Sequence, residues 1–73
     1  MIKISVLIAN KHSTSISLEE EFYTELLTIS SAQNLSLNQL VTLIDTNRTS
    51  PNLSSAVRLY ILNYYKEKSA APK

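Results

Sequence analysis

Apolar and polar positions alternate at the start of the chain. Ile2, Ile4, Val6 and Ile8 fall on one face of an extended segment, and Lys3, Ser5 and Leu7 fall on the other. A period of two predicts a strand over Ile2 to Ile8. The alternation resumes after Asn10-Lys11. Thr14, Ile16 and Leu18 share one face of a second strand, His12 to Leu18, and Ser13, Ser15 and Ser17 share the opposite one. Tight hairpins favour residues that accept a positive φ, and the chain has no glycine. Asn10 can serve once. A local hairpin is therefore open but disfavoured, and the polar second strand is expected to pair with another copy of itself.

The period then changes to that of helices. Ser17-x-x-Glu20 has the form of a capping box, which predicts a helix start near Leu18. Glu19, Glu20 and Glu21 would lie in its first turn, where the helix dipole favours negative charge. Phe22, Leu26 and Ile29 form its apolar stripe, widened by Tyr23 and Leu27, and the pattern fades over residues 30–34. Ser36-x-x-Gln39 repeats the capping pattern ahead of Leu37, Leu40, Val41 and Ile44. A polar loop, Asp45 to Pro51, leads to Asn52, a good cap for a third helix striped by Leu53, Val57, Tyr60, Ile61 and Tyr64. Ala56, Leu59 and Leu62 make that helix apolar on more than one side, so it is expected to pack against its own domain and a second subunit. Residues 1–66 read as a single domain and 67–73 as a flexible basic tail.

Length sharpens this picture. A chain of 73 residues sits where a single core usually needs a staple. There is no cysteine, and His12 is the only histidine, so neither a disulfide nor a metal site is expected. Self-association is the staple that remains. The first apolar run is too short to span a bilayer, which takes about 20 residues, and it lacks the pattern of a signal peptide. The reading is of a cytoplasmic protein without a membrane partner. Net charge is only +1, but its distribution is uneven. Glu19, Glu20, Glu21 and Glu25 are clustered. Lys3 and Lys11 precede them, and Arg48, Arg58, Lys66, Lys68 and Lys73 follow.

Catalytic chemistry is poorly represented, and no enzyme or cofactor is expected. A triad of His12, Asp45 and one of many serines can be drawn only on paper. The glutamates suit a solvated first turn. The serine face, with Lys11 at one end, is either ordinary exposed sheet or a ribbon for the major groove, where alternate side chains reach base edges. The start of the second helix, Ser36 with the free N–H groups of Leu37 and Asn38, is a candidate phosphate site. Arg58 reads as half of an ion pair with Asp45 or Glu67. Tyr60, Tyr64 and Tyr65 suit a core or an interface better than base stacking.

His12-Ser13-Thr14-Ser15-Ile16-Ser17-Leu18-Glu19, followed by Phe22-Tyr23, resembles the bacterial ribbon-helix-helix subfamily that carries G-H-R-T-S, then Ile or Val, then L-E and F-W. Leu35-Ser36-Leu37, Leu40 and Ile44-Asp45 are similar to its second block. Asn52-Leu53-Ser54-Ser55-Ala56-Val57-Arg58-Leu59-Tyr60-Ile61-Leu62, then Tyr65, resembles its third. The likeness spans roughly residues 6 to 65. It implies a mainly α fold with an N-terminal β-ribbon and three helices, interlocked as a homodimer. One strand from each subunit would enter the major groove of double-stranded DNA. Two positions depart from the pattern: Lys11 replaces its glycine and Ser13 its arginine. A missing arginine removes a bidentate guanine contact worth about 1–3 kcal/mol, and Lys11 restores charge without the fork geometry.

The sequence thus predicts a dimeric DNA-binding repressor or autoregulator. DNA contacts are expected from Lys11, Ser13, Ser15, Ser17, Ser36, Leu37 and Asn38. Dimer contacts are expected from Thr14, Ile16, Leu18, Leu53, Val57, Tyr60 and Ile61. The alternative is an adaptor or antitoxin module that keeps the fold, binds a partner protein and has reduced DNA contact.

Overall fold

The computed structural model describes residues 1–9 and 11–69. Strands β1 (Ile2–Ile8) and β2 (His12–Leu18) are followed by helices α1 (Glu20–Ala32), α2 (Leu37–Asn47) and α3 (Leu53–Ser69). Both strands lie where the alternation puts them. Their partners differ from the expectation for β2: the strands pair with each other, antiparallel, from Ile2 opposite Leu18 to Ile8 opposite His12.

The turn explains the difference. Ala9 adopts the left-handed region, φ 54°, and the Lys11 N–H donates to the Ile8 carbonyl at 3.0 Å. A non-glycine residue pays about 1–2 kcal/mol for that conformation. Closing so short a loop costs little chain entropy, and in return it aligns two apolar faces. Ile4, Val6 and Ile8 of β1 and Ile16 and Leu18 of β2 are all buried against the helices.

The core therefore closes within one chain. Leu26 and Ile29 of α1, Leu40, Val41 and Ile44 of α2, and Ala56, Val57 and Ile61 of α3 complete it. Each large aliphatic side chain buried this way contributes roughly 1.5–3 kcal/mol. Four residues expected at a dimer interface, Ile16, Leu18, Val57 and Ile61, are buried in the core of the single chain. Thr14, Leu53 and Tyr60 are half-buried.

Two of the three predicted caps form. Ser36 and Gln39 make a reciprocal capping box, and Asn52 Oδ1 accepts the Ser55 N–H at 3.0 Å. The first does not, because β2 runs through Leu18 and keeps Ser17 extended. Helix α1 starts two residues later, with Glu19 as its N-cap and no side-chain cap bond. Its C-terminus closes on Asn34 at φ 57°, with Leu35 N–H donating to Ser30 O and Asn34 N–H to Ser31 O. That is a Schellman closure, and asparagine tolerates it in place of glycine. Helix α3 continues through Ser69, past the start of the expected tail, with Lys66 and Lys68 in its last turn. Residues 70–73 lie outside the described residues.

Candidate nucleic-acid interface

The hairpin turns its polar face outward. Cross-strand partners in an antiparallel pair share a face, and on this face Lys3 lies opposite Ser17, Ser5 opposite Ser15, and Leu7 opposite Ser13. All are exposed except Leu7, which is half-buried, and Lys11 is exposed at the turn. The predicted serines are therefore brought together as one row. The second row, from β1, is contiguous with them. Lys3 and Ser5, which the sequence reading leaves out of the candidate site, share this exposed face with the serines.

The two outer edges of this ribbon differ. On the β1 edge, the Leu7 N–H donates to Asn38 Oδ1 and the Ala9 N–H to Thr42 Oγ1, both at 3.0 Å. Helix α2 thus meets the turn end of the β1 edge, and nothing among the described residues meets the outward N–H groups of Lys3 and Ser5. On the β2 edge, the Ser17 N–H donates to Ser54 Oγ at 3.1 Å, and the Ser17 carbonyl accepts from Arg58 Nη2 at 3.3 Å. Backbone groups of a strand point to alternate edges, so the N–H groups of Ser13 and Ser15 face the same side as that of Ser17. Nothing among the described residues meets them. A polar groove of about 430 Å³ runs beside this open stretch, lined by His12, Thr14, Ser15, Arg48, Asn52 and Ser54 among others.

The second candidate cluster, Ser36, Leu37 and Asn38, lies at the opposite, β1 edge. There Leu7, Ala9, Ser36, Asn38, Gln39 and Thr42 border a common depression. Ser36 Oγ is engaged by the Gln39 N–H, and the Asn38 side chain by Leu7. What remains for an anion is the pair of backbone N–H groups at Leu37 and Asn38.

The cations divide into held and available groups. Arg58 pairs with Glu19 at 2.9 Å rather than with Asp45 or Glu67, because α3 crosses the β2–α1 junction. Asp45 is taken by Arg48 at 3.0 Å, whose guanidinium also bonds the Ser50 and Pro51 carbonyls. The Arg58 hydrogen bond, and then the backbone at Glu19 itself, hold the Glu19 carboxylate below the ordinary glutamate range. Lys3 and Lys11 make no ion pair among the described residues. The tyrosines serve structure. Tyr60 accepts from Gln33 Nε2 at 2.8 Å and stacks with Tyr64, and the Tyr65 hydroxyl donates to Glu25, which raises its pKa. Among the described residues, no group of acids and histidines could hold a metal, and no helix is long and apolar enough to cross a membrane.

A β-ribbon with an outward polar face, laid on three helices, defines a small ribbon-and-helix domain. The family model described as the ribbon-helix-helix domain matches residues 1–65, so the chain belongs to the ribbon-helix-helix family. The match takes in β1 and most of α3, which makes both part of the family domain. Neither the curated proteins nor the solved structures yield a match. Membership supports a DNA-binding regulator in general terms.

Proposed function

We propose that this chain is a homodimeric transcription repressor or autoregulator that reads the major groove with paired β2 strands. The observation that carries this reading is the open β2 edge. Helix α2 engages the β1 edge at Leu7 and Ala9, and β2 is open at Ser13 and Ser15, beneath a solvent-facing row of serines. An unpaired strand edge is a template for another strand. The register that uses both open serines pairs Ser13 with Ser15 of the partner subunit, twice, and puts Thr14 on the two-fold axis. The dimer contact thus moves from the buried residues Ile16 and Leu18 to the edge of the same strand. Serine hydroxyls donate and accept, so recognition through Ser13, Ser15 and Ser17 is permissive compared with arginine. Lys11 contributes phosphate contact at the ribbon tip.

Ser15→Pro tests the pairing. Proline lacks the N–H that faces the open edge, and edge positions tolerate it. The variant should retain its helical circular dichroism and sediment as a monomer where the parent sediments as a dimer. A dimeric Ser15→Pro protein would refute pairing through β2. Duplex titration tests the function: affinity should fall steeply between about 50 and about 200 mM salt. The small number of available cations on the ribbon face favours a second reading, an adaptor or antitoxin module that binds a partner protein. Absence of duplex binding at the lower salt would select it.

A further inference from the structure

We propose that β1 forms the phosphate-contacting flank of the reading sheet, with Lys3 as its contact on each rim of the major groove. The inference rests on the dimeric reading above. Pairing through β2 yields a sheet in the order β1, β2, β2, β1, with the two β2 strands central. Adjacent strands lie about 4.8 Å apart. The central pair, about 5 Å across, fits a major groove about 12 Å wide. The outer strands, about 14 Å apart between axes, do not fit inside it and must lie over the rims, where the phosphates are.

Three observations give that position its chemistry. Lys3 stands opposite Ser17, on the same face as the serine row, so it points toward whatever the serines read. It is exposed and has no ion-pair partner among the described residues, whereas Arg48 and Arg58 are both held by carboxylates. The N-terminus of α2 lies along the same strand edge, fixed there by Asn38 and Thr42, and brings the positive end of a helix dipole to the same rim. The central strands of the sheet would supply base contacts and its outer strands charge.

The test is equilibrium binding of the full-length chain to a duplex across a salt series, for the parent, Lys3→Ala and Lys3→Arg. Each phosphate contact contributes about 0.9 to the slope of log affinity against log salt concentration. Two Lys3 contacts per dimer predict a slope shallower by about 1.8 in Lys3→Ala and restored in Lys3→Arg. Unchanged far-ultraviolet circular dichroism and an unchanged dimer by sedimentation verify that Lys3→Ala folds. If the parent binds and Lys3→Ala keeps its slope, the flank assignment is overturned while the proposed function stands. If the parent binds no duplex even at low salt, both are overturned.

Discussion

Ala9 shows how one backbone angle decides which strand β2 pairs with. The absence of glycine argues against a tight hairpin, yet the chain makes one by placing alanine at φ 54°. The conformational cost is small beside the burial of five aliphatic side chains along the two strands. Ala9→Gly should therefore stabilise the fold by about 1 kcal/mol, since glycine occupies that region freely. Denaturant unfolding checks this. A destabilised Ala9→Gly protein would mean that the turn strain is absent or that the alanine methyl makes a contact of its own. Tyr65 and Arg58 make the same point about side chains. The sequence shows that each needs a partner, but Glu25 and Glu19 become those partners only through the crossing of α3 over α1 and the end of β2.

At the scale of elements, periodicity and caps carry most of the information. The strands Ile2–Ile8 and His12–Leu18 are legible from alternation alone, and Ser36 with Gln39 marks the start of α2 to the residue. Ser17 is misleading because its residue type suits two roles, and the strand takes it. Its backbone is then secured by Ser54 and Arg58, so α3 clamps the end of β2 while Arg58 also binds Glu19 at the α1 N-cap. That junction should depend on acid. The folded-state pKa of Glu19 is lowered, so its contribution is fully present above the ordinary glutamate range. It is lost as pH falls through the folded value. Arg58→Met removes the largest cause of the shift. The stability difference between parent and variant should be largest near neutrality and shrink as pH is lowered below the glutamate range. A difference independent of pH would show that Arg58 acts through packing alone.

At the scale of the whole molecule, the fold was legible but its closure was not. A second subunit is the expected staple, because so short a chain has little core to spare. The hairpin enlarges the core within one chain by folding β1 over the helices. Apolar residues expected at an interface, Val57 and Ile61 among them, are buried within the chain itself. The serine row survived this change, since the face opposite a buried strand face is exposed whichever strand is its neighbour. Lys3 and Ser5 join the row only once the register is known.

The contact that α2 makes with the β1 edge bears on how many copies can assemble. A strand edge accepts one neighbour, so a chain with two open edges can add copies head to tail without limit, whereas a chain with one open edge forms a closed symmetric pair. Asn38 and Thr42 occupy the β1 edge at Leu7 and Ala9, which favours the second class under the proposed pairing through β2. Replacing both with alanine exposes the Leu7 and Ala9 N–H groups and should convert the proposed dimer into polymers that lengthen with concentration, visible as rising light scattering. A double variant that remains a discrete dimer at every concentration would show that the bulk of α2, rather than its two side-chain acceptors, shields the edge. Under the proposed pairing, two side-chain hydrogen bonds to β1 limit growth beyond the pair.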